Sequence, residues 1–157
     1  MAVTLKAGDK APNFEGKDQN GKSISLADFS GKTLILYFYP KDDTPGCTKE
    51  ACNLRDNYEA LLEQGYAVVG VSPDGEASHQ KFIEKYSLPF PLIADEEKEI
   101  MEAYGTWGEK NMYGKIKLGV LRTTFIIDGE GVILKVFKRP KTAEHTEQIL
   151  KAMEKLS

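Results

Sequence analysis

The apolar positions of this chain change their period several times, and each change marks an element. Residues 33–39 read TLILYFY, a continuous apolar and aromatic run closed by Pro40, which predicts a strand buried on both faces of a sheet. Beyond it Cys47, Ala51, Leu54, Tyr58, Leu61 and Leu62 recur at helical spacing, so a helix is predicted over 47–64, with Gly65 placed to stop it. Residues 66–71, YAVVGV, predict a second short buried strand. Ser72-Pro73-Asp74-Gly75 then leads into an amphipathic stretch with Phe82, Ile83 and Tyr86 on one side. Nearer the start, Asn20-Gly21 is a dipeptide favoured in type I′ turns and predicts a small hairpin over 13–26. Further along, 91–94 reads as a short strand and 96–104 as a helix, whereas 105–119 reads only as a glycine-rich connection. Strands over 123–127 and 132–137 flank Asp128-Gly129-Glu130-Gly131 as a second hairpin, and Thr142 is predicted to cap a final helix running to Leu156.

The order strand, helix, strand, helix, hairpin, helix describes a single α/β domain spanning 1–157, with no linker or repeat. It matches a thioredoxin-like topology with an N-terminal hairpin and inserts. In such a sheet the first two strands run parallel and the hairpin strand beside the central one runs antiparallel. The start of 123–127 is therefore expected near the end of 33–39, which brings Arg122 to the loop after Pro40.

Composition narrows the function more than the fold. At 157 residues with 41% hydrophobic side chains, roughly 70% of the unfolded surface can be buried, so the core needs no disulfide staple. That frees Cys47 and Cys52 for chemistry. Twenty-one Lys+Arg against 24 Asp+Glu leave a formal charge of −3, which gives no reason to expect nucleic acid as a partner. The apolar run 34–39 falls far short of the roughly 20 residues of a membrane span, and the first ten residues lack a secretory h-region. A cytoplasmic location is expected, and in that reducing compartment two cysteines point to redox or nucleophilic chemistry, or to two inert buried thiols.

Thr44-Pro45-Gly46-Cys47 reads as a helix start, with Thr44 as N-cap, Pro45 at the first helical position and Cys47 in the first turn. Unpaired amides and the positive end of the helix dipole there favour a thiolate. Asp42, Asp43 and Glu50 oppose it, so a cation is needed. Of the three arginines, Arg55 lies about 12 Å of helical rise away, while Arg122 arrives from the neighbouring strand end. Ionisation by itself multiplies the reactive form at neutral pH only about thirtyfold. Fast chemistry also requires polarisation of the substrate, for which one placed donor is worth about 10²–10³. The Thr44 hydroxyl, the Gly46 and Cys47 amides and Arg122 could converge on one small oxygen substrate. Cys52 sits five residues on; on an intact helix the two Cα atoms are about 8.7 Å apart, beyond the roughly 7 Å that a disulfide spans. The pair suits a cycle in which the first sulfur is oxidised, the helix opens and the second attacks.

The pattern Pro40-x-x-x-Thr44-x-x-Cys47 resembles the active-site motif of the peroxiredoxins. Gly46-Cys47-Thr48-Lys49-Glu50-Ala51-Cys52 is similar to the bacterioferritin-comigratory or Q-type subfamily. The resemblance extends to 8–14, 71–74, the stretch from Tyr104-Gly105 to Tyr113-Gly114, and Arg122-Thr123-Thr124-Phe125. It implies a thiol peroxidase for hydrogen peroxide and organic hydroperoxides, recycled by thioredoxin or a similar dithiol protein, without metal, haem or flavin. It further implies Cys47 as the peroxidatic cysteine, Thr44 and Arg122 as residues that orient and activate peroxide, Pro40 as a shield, and Cys52 as the resolving cysteine. Relatives of the subfamily are often monomeric, and a monomer is expected.

Other readings compete. A thiol–disulfide oxidoreductase without peroxide chemistry is weakened by C-x₄-C spacing in place of C-x-x-C. A noncatalytic holdase lacks an obvious apolar stripe. A Cys/His dyad or a Cys₂His₂ zinc site would need His79, on a predicted surface helix, and His145, on the last helix, to meet the cysteines over long range. Glu50 reads as structural at a first-turn position, and Trp107 as either lining the approach to the site or anchoring a loop.

Overall fold

The computed structural model describes residues 3–112 and 114–156; Tyr113, which contributes to the resemblance, lies outside them. A two-stranded hairpin of β1 (Glu15–Lys17) and β2 (Ser23–Ser25) precedes the central strand β3 (Thr33–Phe38). Then follow α1 (Pro45–Asp56), α2 (Tyr58–Glu63), β4 (Tyr66–Ser72), α3 (Glu76–Tyr86), β5 (Leu92–Ala94) and α4 (Glu99–Tyr104). The chain continues through β6 (Trp107–Met112), β7 (Lys115–Val120), β8 (Thr123–Ile127) and β9 (Ile133–Phe137) to α5 (His145–Leu156).

The main sheet has the order β5-β4-β3-β8-β9. Its central strand is apolar on both faces, as both are covered. Leu34, Leu36 and Phe38 pack with Val69, Val71, Phe125, Met101 and Tyr104 on one side. Ile35, Tyr37 and Tyr39 pack with Cys47, Ala51, Leu54, Phe82 and Ile149 on the other, beneath α1, α3 and α5. Strand β4 runs parallel to β3, from Thr33↔Tyr66 to Phe38↔Val71. Strand β8 runs antiparallel and begins opposite the end of β3, at Phe38↔Thr123. That register carries Arg122 to the loop after Pro40, as the predicted order requires.

The helix expected over 47–64 is two helices. The first starts at Pro45, the first helical position that the Thr44-Pro45 pattern predicts, and breaks at Asn57, whose side-chain amide donates to the Asn53 carbonyl at 2.8 Å and takes an acceptor that a continuing helix would use. The helix expected from 96 starts at Glu99, because the Asp95 carboxylate accepts from the amides of Ile100 and Met101. Residues 105–119 hold an antiparallel hairpin, β6 with β7, from Trp107↔Val120 to Met112↔Lys115. Strand β7 alternates, Ile116, Leu118 and Val120 with Lys115, Lys117 and Gly119, but β6 does not, and Ile116 and Leu118 are exposed, so only one of the two strands carries the signal. Trp107 packs against the core with Lys98 over its ring, which makes it a loop anchor. Thr142 does not cap α5: it opens a 3-10 turn, Thr142–Glu144, with Lys141 at the N-cap position and no side-chain capping bond. No helix among the described residues is long and apolar enough to cross a membrane.

Candidate active site

The loop from β3 delivers the chain to α1 with Thr44 extended and Pro45 at the first helical position. The first intrahelical bond runs from the Thr48 amide to the Thr44 carbonyl at 2.8 Å, so the amides of Gly46 and Cys47 precede the hydrogen-bonded ladder. The Thr44 hydroxyl makes no capping bond; it donates to the Lys41 carbonyl at 2.9 Å, which orients its lone pairs rather than closing the helix end. Cys47 is buried on the inner face of α1, and Pro40 is half-buried at the end of the strand run.

Cys47 and Glu50 are one turn apart and share a face of α1. The forked guanidinium of Arg122 joins them: Nη2 donates to Cys47 Sγ at 3.2 Å and Nη1 donates to Glu50 Oε1 at 2.9 Å. The approach depends on Gly46, where a Cβ atom would stand 3.3 Å from Nη2. Burial disfavours the Arg122 charge, but Glu50 and Cys47 outweigh it and raise its pKa.

Glu50 is fully buried, and desolvation lifts its carboxyl from 4.5 to about 7 against the opposing pull of Arg122. Its Oε2 atom has no hydrogen-bond partner among the described residues, and neither does the buried Tyr37 hydroxyl. Burial, then Glu50 and Cys47, raise the Tyr37 pKa well above the ordinary phenol value. Behind Oε2, 3.7 Å away, lies Nε2 of His145, also fully buried and lowered by that burial from 6.5 to about 4.

The acidic residues expected to oppose a thiolate have partners of their own. Asp42 accepts from Tyr39 Oη at 2.5 Å and Ser78 Oγ at 2.8 Å, and meets His79 Nδ1 at 2.7 Å. Asp43 is held below the usual carboxylate range by hydrogen bonds from Lys85 and Tyr86. His79 is not on a surface face: it is buried, and its other nitrogen meets the Ile93 carbonyl at 3.0 Å. Both ring nitrogens are therefore engaged away from the cysteines, and the ring fastens the loop after β3 to α3 and β5. No group of three side chains suited to a metal ion occurs among the described residues.

Cys52 is half-buried on the next turn, with its thiol raised by burial more than Arg55 lowers it. Both cysteines are free thiols in an unbroken helix. The adjacent Asn53 ties this turn to the entry of α5, donating to the Ala143 carbonyl at 3.1 Å and accepting from the Thr146 amide at 2.7 Å.

The AhpC/TSA family matches residues 7–136 of the chain. The chain belongs to that family. Peroxiredoxin Bcp of Bacillus subtilis is 43% identical over 99% of both chains, and peroxiredoxin Bcp of Escherichia coli K12 is 45% identical over 93% of this chain and 94% of its own. Among solved structures, a Xanthomonas campestris peroxiredoxin Q covers the full length of both chains at 32% identity with a TM-score of 0.86. A Xylella fastidiosa counterpart covers 98% of each at 29% identity and 0.89. This peroxiredoxin thus has the thioredoxin-like fold expected from its element order and is a thiol-dependent peroxidase.

Sequence reasoning singled out Cys47 and Arg122, which meet. It left Glu50 as a structural residue and His145 as a remote one. The signal was present for Glu50, an acid three residues after Cys47 on the same face. His145 reaches the cluster only through the docking of α5, which no local pattern encodes.

The two buried groups give stability an opposed pH dependence. Because Glu50 has a raised pKa, its contribution is complete below 4.5 and is lost as pH rises through about 7. His145 has a lowered pKa, so its contribution is complete above 6.5 and is lost as pH falls through about 4. Replacing Glu50 with Gln removes the first effect only. Measured by urea unfolding, the variant should gain on the parent by about 3 kcal/mol between the acid and alkaline ends of that interval. A stability difference that does not change with pH would contradict ionisation of Glu50 in this range.

Proposed function

We propose that Cys47 is the peroxidatic cysteine, that Thr44, Arg122 and the first-turn amides receive the peroxide, that Pro40 shields the site, and that Cys52 resolves the oxidised form. The observation that carries the reading is the single guanidinium that donates to both the Cys47 sulfur and the buried Glu50. Arg122 stabilises negative charge on sulfur before attack and on the departing oxygen afterwards.

In the first step the Cys47 thiolate attacks the terminal, hydrogen-bearing oxygen of R–O–OH. The S–O bond forms as the O–O bond breaks, sulfur is oxidised to sulfenic acid, and the leaving alkoxide or hydroxide takes a proton to become an alcohol or water. In the second, Cys52 sulfur attacks the sulfenic sulfur, the S–O bond breaks and water leaves with the thiol proton. A dithiol protein of the thioredoxin type then reduces the Cys47–Cys52 disulfide by exchange and becomes oxidised itself. The second step requires α1 to open, because helical geometry separates the two Cα atoms by about 8.7 Å. The related Xanthomonas campestris bacterioferritin comigratory protein, 34% identical over 90% of both chains, has an alkyl peroxide reduction activity, which supports organic hydroperoxides as substrates here. A cytoplasmic monomer that engages neither nucleic acid nor membrane accords with the composition and charge of the chain.

The cycle is tested by peroxide-dependent NADPH oxidation through thioredoxin and its reductase. Cys52→Ser should still consume one equivalent of peroxide but recycle through thioredoxin at least about tenfold more slowly, because the sulfenic acid has no internal partner. Undiminished turnover would remove Cys52 from the resolving role.

A further inference from the structure

The hydrogen bonds around His145 fix which of its nitrogens carries the proton. The Gln148 side-chain oxygen accepts from the Lys141 amide at 2.9 Å, so the atom that also meets His145 Nδ1 at 2.9 Å is an acceptor, and Nδ1 must be the donor. In the neutral ring Nε2 is then unprotonated. It accepts from the Thr124 hydroxyl at 2.8 Å, and the same electron-rich edge stands 3.7 Å from Glu50 Oε2. The Thr124 hydrogen occupies the one lone pair of Nε2, but the nitrogen keeps partial negative charge, and in a dry interior that charge beside Oε2 opposes ionisation of the carboxyl.

We propose that neutral His145 is a positioning residue for peroxide reduction: its Nε2 edge holds Glu50 in the protonated form and thereby leaves the charge of Arg122 to the Cys47 sulfur. The inference rests on Cys47 as the peroxidatic residue. Every element around Glu50 takes part. Cys47 lies on its own helix, Arg122 and Thr124 come from the start of β8, Tyr37 from β3, and His145 from α5 with Gln148 and Glu147 beyond it. Among these Arg122 is the only cation beside Glu50, and it already donates to the sulfur. An ionised Glu50 competes with a Cys47 thiolate for that one guanidinium, whereas a neutral Glu50 accepts a hydrogen bond from it without matching its charge. Oε2, which has no hydrogen-bond partner among the described residues, is free to carry the carboxyl proton. Burial raises the Glu50 carboxyl and lowers the His145 imidazole, so both groups favour their neutral forms.

The test is a double-mutant cycle read by the rate of Cys47 oxidation in a single turnover, just below neutral pH. His145→Asn keeps an amide donor for Gln148 but has no atom at the Nε2 position, whereas His145→Gln restores an acceptor there. His145→Asn should slow the oxidation by about tenfold, the size of a one-unit shift in a coupled ionisation. His145→Gln should recover most of the rate. In a Glu50→Gln background, His145→Asn should change the rate less than twofold, because no ionisable carboxyl remains. An equal loss in both backgrounds, or no loss in either, would overturn the proposal. Infrared spectra of the parent provide a readout independent of the folding of any His145 variant: a protonated-carboxyl band that disappears in Glu50→Gln is expected, and its absence overturns the proposal. Failure of Cys47 itself to take up oxygen in the parent would instead overturn the underlying peroxidatic assignment.

Discussion

Cys47→Ser is expected to abolish peroxide turnover. The step requires a polarisable anion that can attack an O–O bond and then remain bonded to the oxygen as a stable, reducible species; a serine alkoxide at neutral pH meets neither requirement. Loss of a covalent nucleophile costs on the order of 10⁶ in other enzymes, so the observed rate should fall to the background set by reagents and by slow oxidation of Cys52. Cys52 is not expected to substitute: it is half-buried, its thiol is raised, and among the described residues it has no guanidinium hydrogen bond of the kind Arg122 gives Cys47. The fold should be retained, since serine is close in size to cysteine, with a loss of about 1 kcal/mol or somewhat more for a hydroxyl in an apolar setting. Peroxide consumption by this variant at a parental rate would contradict the assignment.

Arg122→Ala should lower the rate of Cys47 oxidation by about 10²–10³, the usual effect of removing one preorganised donor from a developing charge. Removing one partner of a buried ion pair ordinarily destabilises by about 3–5 kcal/mol, because the other charge is stranded. The loss should be much smaller here. Glu50 titrates at about 7 even with Arg122 beside it, so without the arginine it takes up a proton near neutrality at little cost. A large kinetic defect in a folded protein is therefore the expected signature, and circular dichroism beside the single-turnover rate will show it. Arg122→Lys should recover only part of the rate, because a point charge cannot donate along two fixed directions to Cys47 and Glu50 at once. A parental rate in Arg122→Ala would exclude the guanidinium from the chemistry.

The path from sequence to site was open wherever local chemistry determined geometry. The apolar run at 33–39, the glycine at 65 and the Thr44-Pro45 helix start each constrain the backbone on their own, and together they place Cys47 at the first turn of a helix against the sheet. Arg122 followed from topology alone, because the antiparallel partner of a central strand must begin where that strand ends. What stayed hidden depended on side chains meeting across long separations. The break at Asn57 is a side-chain hydrogen bond to the preceding turn that helical periodicity does not register. In the β6–β7 hairpin Ile116, Leu118 and Val120 alternate with Lys115, Lys117 and Gly119, but β6 has no matching pattern, and Ile116 and Leu118 are exposed instead of packed. His79 reads as a residue of a surface helix, and His145 as a residue of the last helix remote from the cysteines, because polar residues surround each in the chain. Each is buried against a carboxylate contributed by another element, Asp42 for one and Glu50 for the other.

The resting helix also bears on the order of events. With Cys47 and Cys52 both on an intact α1, and Asn53 tying the turn that carries Cys52 to the entry of α5, oxidation is expected to precede unwinding. Mass spectrometry of the protein quenched during a single turnover with one equivalent of peroxide tests this most directly. The account predicts a single added oxygen on Cys47, trapped by a sulfenic-acid reagent in Cys52→Ser and replaced by a Cys47–Cys52 disulfide in the parent. Oxygen found first on Cys52, or a parental disulfide that forms without passing through an oxidised Cys47, would contradict it.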